Sequence, residues 1–528
     1  MRQDSSIFGR DHPRRGAGRS VGGHLSLGRK VLGGLFWAFS GTLAQAVLQV
    51  IVMMVLARLL APATFGAVAA ALVVIKIAGF VSDLGLAGAL IQRQELERRH
   101  VETAFAVLVL SGLMMCLLIQ LGAPCIAAFF QIEAVENVVR ILAISIPLSN
   151  ASQVALGLMR RDLKFREVAI VAVVAFGVGY GLVGIGLALS GYGLWALAGA
   201  HVAQLGCTMI LVLILRPHPK SLMIRWPSLL ELMRFGGGMV AWRTATNVAL
   251  EADNLVVGRW LGAEALGLYS RAYWLAATPA ILFGRGIANV LFPILSRLQA
   301  DPERLALAYR RGITATNLVA VPAGVVIAIL APEIVAVVLG RQWDATVVPL
   351  QILAFGLLFR LSARVTDSLT GAAGAVYRTA GLQMIYAIAV FTGALIGQMW
   401  GIEGVATGVL GALVLNYLLM TRLALELTSL SVGKLLATFV PGLLCAVTLA
   451  AGLLVLRTWL LRENMPALVI LIAAIVVTGV MATILLRLSP RTFLGEDGIW
   501  IMHLLLRRLP SCVSTSAVRL LAPSARPT

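Results

Sequence analysis

The chain has 528 residues, 59% hydrophobic and only 13% charged, with a mean hydropathy of +0.92. Soluble domains carry roughly 25% charged residues, so this composition excludes a soluble globular protein, a disordered chain and a fibrous one, and leaves a polytopic membrane protein. The 43 Lys and Arg against 24 Asp and Glu give a net charge of +19, which in a soluble protein would suggest nucleic acid; here its meaning depends on where the charges sit.

Residues 1–30 are polar and basic, with Arg2, Arg10, Arg14, Arg15, Arg19, Arg29 and Lys30, and read as a disordered tail. A spanning helix needs about 20 mostly apolar residues. That ruler predicts an all-α polytopic membrane protein with about fourteen transmembrane helices, at 33–57, 66–91, 103–123, 137–158, 168–190, 192–215, 235–258, 265–291, 312–331, 346–369, 380–400, 403–425, 435–458 and 466–487. Apolar stretches of helix length, not alternating ten-residue segments, exclude a β-barrel. The organisation expected is a tail (1–30), a first lobe of six helices (31–215), a linker (216–234), a second lobe (235–427), two extra helices (428–489) and a C-terminal tail (490–528). Within that tail, Trp500, a leucine run and Arg507/Arg508 suit a helix lying on the inner leaflet or packed on the bundle.

The positive-inside rule tests the count. With both termini in the cytoplasm, 31 of the 43 basic residues fall on cytoplasmic segments and five on outer loops (Arg58, Arg259, Arg341, Arg457, Arg462). One helix more or fewer would scramble this alternation in every later loop. The chain also repeats itself. Arg58-Leu-Leu-Ala-Pro-Ala-Thr-Phe-Gly66 has a counterpart 201 residues later in Arg259-Trp-Leu-Gly-Ala-Glu-Ala-Leu-Gly267. Ala123-Pro124 matches Ala331-Pro332, and Ile141-Leu142-Ala143 matches Ile352-Leu353-Ala354. Six helices separate the copies, so they would be parallel repeats about an axis along the membrane normal.

Charge inside a membrane costs at least about 2.5–3.5 kcal/mol per residue and marks function by default. Such residues cluster on single helix faces here. The seventh predicted span carries Arg243, Asn247, Glu251 and Asn254; the eighth, Arg271, Trp274, Thr278 and Arg285; the tenth, Arg360, Arg364 and Asp367; the second, Lys76 and Asp83; the first, Gln45 and Gln49. Asp253, two residues on from Glu251, sits about 200° round the helix. Two readings compete. The charges are structural pairs (Arg364 with Asp367, Lys76 with Asp83, Arg243 with Glu251), or they line a wet cavity. Seven basic residues, Arg140 included, face four acids (Asp83, Glu251, Asp253, Asp367), and unpaired guanidiniums in low dielectric are costly unless water or an anion reaches them. The surplus favours an anion-accepting cavity for part of the set, with Arg suited to phosphate; Arg140 and Arg271 could instead snorkel to the outer interface. Asp83, Glu251, Asp253 and Asp367 are candidates for coupling transport to protons or Na⁺. The five cysteines and six histidines form no ligand motif, so no metal or cofactor is expected.

The segment Asn247-x3-Glu251-Ala-Asp253-Asn254-Leu-Val-Val-Gly258-Arg259-Trp-Leu-Gly262-x4-Gly267-Leu-Tyr269-Ser270-Arg271-Ala-Tyr273 resembles the Wzx-type polysaccharide transporters of the MOP flippase superfamily. So do Thr64-Phe65-Gly66, Ser82-Asp83-Leu-Gly85, Arg161-Asp-Leu-Lys164-Phe165, Phe292-Pro293 and Leu339-Gly340-x2-Trp343. The resemblance covers about residues 30–425 and implies a V-shaped bundle of two six-helix lobes that works by alternating access in a bacterial inner membrane. The implied cargo is a polyprenyl-pyrophosphate-linked oligosaccharide for exopolysaccharide, capsule or O-antigen, with a polysaccharide polymerase and glycosyltransferases as partners. The pyrophosphate would sit among the cations, the lipid tail would stay in the bilayer, and Gln45, Gln49 and Asn247 could hydrogen-bond sugar hydroxyls. Three rivals stand. A peptidoglycan-precursor flippase shares the mechanism, a small-cation exporter would want an acidic cavity, and a membrane polymerase or glycosyltransferase would want catalytic carboxylates on a sizeable loop. The longest outer loops expected, 124–136 and 332–345, offer no such pair, so no enzyme is expected, and no basic-aromatic surface argues for nucleic acid.

Overall fold

The computed structural model describes residues 21–93 and 95–506, without the side chains of 234–249 and of Arg285 among others. All regular structure in that range is helical. The first half runs α1 (Val21–Leu59), α2 (Pro62–Asp83), α3 (Leu86–Gln92), α4 (Arg98–Phe130), α5 (Ala134–Ala143), α6 (Ser145–Arg161), α7 (Phe165–Phe176), a π-helical stretch (Gly177–Gly184), α8 (Ile185–Leu189) and α9 (Leu194–Leu215). The second half runs α10 (Trp226–Trp260), α11 (Gly262–Leu298), α12 (Pro302–Ile329), α13 (Ala331–Val338), a 3₁₀ turn (Arg341–Thr346), α14 (Val347–Ala372), α15 (Val376–Gly397), a 3₁₀ turn (Gln398–Trp400) and α16 (Gly401–Thr428). α17 (Val432–Ala437), α18 (Phe439–Arg462), α19 (Ala467–Leu488) and α20 (Pro490–Leu506) complete it.

The chain is a multi-pass membrane protein. Eleven stretches among the described residues are long and apolar enough to cross a membrane, and one of them, Tyr377–Thr428, holds both α15 and α16. Outside those eleven, α10 and α11 have 35 and 37 residues, well beyond the ~30 Å of a bilayer core at about 1.5 Å per residue. Local chemistry sets the breaks. α2 ends where Leu84 and Gly85 both turn left-handed. α12 begins at Pro302, with the Asp301 carboxylate accepting from the Arg304 N–H at 3.1 Å, a cap-plus-proline start.

Several boundaries differ from the sequence expectation. α1 already begins at Val21, inside the stretch expected to be a disordered tail, while residues 1–20 lie outside the described residues. α10 begins at Trp226, so the linker shortens to 216–225. The expected outer loops 124–136 and 332–345 are mostly helical: α4 runs through Pro124 to Phe130, and α13 with its 3₁₀ turn fills the second. α20 packs on the bundle. The Asp497 carboxylate accepts from Arg310 at 3.0 Å, and the Arg311 guanidinium lies 3.8 Å from the Trp500 ring centre. Arg507 and Arg508 fall outside the described residues.

The bundle has two unlike ends. One carries the segments 84–97, 162–164, 216–225, 299–301 and 373–375 and most of the Arg and Lys; we call it the basic end and the other the far end. At the far end, one continuous buried cluster joins the two halves through Leu56, Leu60, Phe65, Phe130, Val256, Leu266, Leu339 and Trp343. At the basic end the core splits into separate clusters. One is built on Leu86, Leu108 and Leu158 of the first half with Leu229 and Leu232 of α10; another is built on Leu295, Tyr309 and Leu369 of the second half. The halves thus share one core at the far end, while at the basic end it is the start of α10 that reaches across to the first half.

Candidate functional site: a cationic cavity between the halves

The seal is built from the segments that follow α1 and α10. α2 and α11 cross where Gly66 and Gly267 meet. A methyl on Gly66 would sit 1.6 Å from Ala263 O, and one on Gly267 would sit 2.0 Å from Pro62 O. The contact is reciprocal, each glycine lying against the backbone of the other's helix. Only a residue without Cβ permits this backbone approach. Beside it, Trp343 is fully buried, donates from Nε1 to Ala57 O at 2.9 Å, and meets Phe65 edge-on at 5.2 Å. Arg58 donates to Val337 O at 2.9 Å.

Behind this seal lies a cavity of about 450 Å³, within the range of small-molecule sites. α2 lends it Lys76; α10, Glu251 and Asn254; α11, Arg271, Tyr273 and Trp274; α14, Arg360, Arg364 and Asp367; α15 and α16, Gln383, Tyr386 and Asn416. Lys76 and Arg364 are its exposed charges, at 49% and 59%, and both lie in the basic-end halves of their helices. The cavity therefore closes at the far end and opens at the basic end.

The charges divide into two kinds. Lys76 Nζ bonds Glu251 Oε1 at 2.7 Å across the two halves, and Arg364 lies 3.9 Å from Asp367. Arg271 and Arg360 have no carboxylate partner among the described residues. Arg271 lies 5.1 Å from the Phe65 ring centre and donates from Nη1 to Met53 Sδ at 3.4 Å; its Nε is buried without a partner. Arg360 donates from Nη1 to the Tyr273 hydroxyl at 2.8 Å and lies 4.4 Å from that ring's centre, while its Nε and Nη2 are buried without partners. Buried donors left unmatched are costly, and together they present fixed N–H groups to any anion entering the cavity.

The other predicted residues fall as follows. Asp253 is 1% exposed, accepts from the Tyr269 hydroxyl at 2.7 Å, and does not line the cavity. Asp83 ends α2 toward the basic end and is not the partner of Lys76. Gln45 and Gln49 are half-buried on α1, away from the cavity lining. The side chains of Arg243, Asn247 and Arg285 lie outside the described residues, so the Arg243–Glu251 pair does too. Arg140 pairs with Glu136 at 2.8 Å on an exposed face. Arg271 faces the cavity and not an interface. Sequence reasoning missed Gln383, Tyr386 and Asn416; the spacing of Gln383 and Tyr386, three apart on one helix, was the available signal.

A second bridge between the halves stands at the basic end. The Glu231 carboxylate of α10 takes Arg93 and, at 3.1 Å, His100 Nε2. These two donors hold its pKa below the usual carboxylate value.

The comparisons with known proteins agree with this architecture. The succinoglycan biosynthesis transport protein ExoT of Rhizobium meliloti is 29% identical over 297 residues, 56% of this chain and 60% of that protein, so the match spans under two thirds of that relative. The lipopolysaccharide biosynthesis protein WzxC of Escherichia coli is 25% identical over 75% of this chain and 81% of its own length. The lipid II flippase MurJ in an inward closed conformation superposes with a TM-score of 0.66 at 14% identity, covering 84% of this chain and 98% of MurJ, which shows a shared fold. The polysaccharide biosynthesis protein family profile matches residues 55–348, the stretch that holds the crossing glycines, Lys76, Glu251 and Arg271, and the chain belongs to that family.

Proposed function

We propose that the chain carries a polyprenyl-pyrophosphate-linked oligosaccharide across the bacterial cytoplasmic membrane by alternating access, for assembly of a surface polysaccharide. The observation that carries this reading is the pair of buried, unpartnered guanidiniums, Arg271 and Arg360, on a cavity that opens at the basic end. A diphosphate supplies the acceptors these donors lack. The headgroup enters from the basic end while the lipid tail stays in the bilayer. Opening the far end between Gly66 and Gly267, and closing the basic end, would release it on the other side.

In this reading the basic end is cytoplasmic, both termini are inside, and fourteen helices cross, twelve of them in two parallel six-helix lobes. Glu251 and Asp367 would be the acids placed to couple transport to an ion. The chain acts as a carrier and not a catalyst, with glycosyltransferases supplying its cargo and a polymerase receiving it. A direct test uses a strain deleted for the gene. Spheroplasts are probed with a membrane-impermeant lectin for lipid-linked glycan on the outer leaflet. The expected result is loss of outer-leaflet glycan in the deletion strain, accumulation inside, and restoration by the wild-type chain. Outer-leaflet glycan at wild-type level in the deletion strain would sink the proposal.

A further inference from the structure

The cavity presents unmatched acceptors as well as unmatched donors. Asn416 of α16 is 5% exposed and its Oδ1 has no partner; Asn254 of α10 likewise has a buried, unpartnered Oδ1, although its Nδ2 donates to Glu251 at 3.3 Å. Gln383 of α15, 6% exposed, lines the same wall. An ionised diphosphate carries acceptors only, so it satisfies Arg271 and Arg360 and leaves the oxygens of Asn254 and Asn416 unanswered. A hydroxyl both donates and accepts, and so answers an amide whichever way its oxygen and nitrogen are turned. Trp274 on the same cavity adds a flat aromatic face, apolar enough for the C–H side of a sugar ring.

We propose that Asn254, Gln383, Asn416 and Trp274 form a sugar subsite beside the cationic one, which reads the hydroxyls of the sugar next to the diphosphate. The inference rests on the cargo proposed above and adds a division of labour within it. Arg271 and Arg360 hold the feature common to all such lipids, and the amide wall selects among them. It also moves the sugar contacts from α1, where Gln45 and Gln49 were expected to make them, to the second half of the chain.

The test uses the full chain in lipid nanodiscs and two probes: undecaprenyl pyrophosphate, and the same lipid bearing one hexose, as glucose and as galactose. The wild type binds a hexose-bearing probe more tightly than the bare one. Asn416→Leu and Gln383→Met keep side-chain size and remove the amide. Each weakens hexose binding by about tenfold and leaves bare-lipid binding unchanged. Arg360→Met weakens both probes. Asn416→Gln, which keeps the amide and adds no charge, guards against a folding artefact and retains part of the hexose preference. Variants that weaken both probes alike, or neither, overturn the subsite. Failure of the wild type to bind bare undecaprenyl pyrophosphate overturns the cargo proposal itself, and the subsite with it.

Discussion

Arg360→Met separates a binding residue from a structural one, because the structure assigns it a large effect on transport and a small one on stability. In the empty chain, Arg360 makes one hydrogen bond, to Tyr273, and leaves Nε and Nη2 buried and unmatched. Removing it loses that bond and the contact with the Tyr273 ring, together about 2–4 kcal/mol. It also removes the desolvation cost of two orphaned donors on a cation, about 1–3 kcal/mol each. These terms nearly cancel, so the thermal midpoint of the unliganded protein should hardly move. Binding is another matter. Two charge-assisted hydrogen bonds to a diphosphate are worth about 1.5–3 kcal/mol each, so their loss should weaken binding by roughly 10²- to 10⁴-fold. Arg457→Met is the control. It strips the 2.7 Å ion pair from Glu333, which is 4% exposed, and an uncompensated buried carboxylate costs about 3–5 kcal/mol. The assay pairs thermal unfolding in detergent with binding of undecaprenyl pyrophosphate and with surface polysaccharide in a complemented deletion strain. Arg360→Lys keeps the charge and loses the planar fork, so it should fall between wild type and Met. The reasoning is refuted if Arg360→Met lowers the midpoint as much as Arg457→Met does, or if it exports polysaccharide normally.

Three further outcomes follow from the geometry. Lys76→Met leaves Glu251 without its cationic partner, so adding Glu251→Gln should recover stability, with a coupling of about 1 kcal/mol given the exposure of Lys76; strictly additive thermal shifts would show that the bridge contributes nothing. Gly267→Val forces a side chain into the backbone of Pro62 and should pry the far end open. In a chain lacking native cysteines, Ala69→Cys inside the cavity then becomes reactive to an impermeant maleimide from the far side, and unchanged protection would count against the seal. The third concerns the linker. The His218 ring packs edge-on against Phe105 at 5.0 Å. Burial lowers its pKa below 6.5, Lys220 and Arg216 lower it further, and a hydrogen bond to Pro219 O works the other way. The released linker therefore binds the proton before the docked one does, so docking is strongest above pH 6.5 and weakens as pH falls toward the folded value. Proteolysis of residues 216–225 should speed up on acidification, and His218→Phe should abolish that dependence.

How much of this was legible in the sequence depended on range. Most helix positions followed from apolar runs, because the bilayer sets a minimum apolar length for a span. Arg364 with Asp367 was predictable because three residues along a helix share a face. The same logic misassigned Lys76 to Asp83. Its partner, Glu251, lies 175 residues away on another helix, and periodicity says which residues share a face but not what that face meets. The amides failed likewise. Gln45 and Gln49 share a face of α1, yet the cavity wall is made by Gln383 and Asn416, whose relevance depends on how α15 and α16 pack against α14. The surplus of basic residues over acids was readable by counting. That Arg271 and Arg360 are the cavity guanidiniums without a carboxylate among the described residues required the fold.

The crossing of α2 and α11 has an evolutionary corollary. Gly66 and Gly267 each lie against the backbone of the other's helix. They act as a single position that the gene spells twice. Enlarging either one separates the same two helices, so neither can drift alone without a change of helix spacing that relaxes the constraint on its twin. Across relatives, these two codons should vary together or not at all, even though 201 residues separate them.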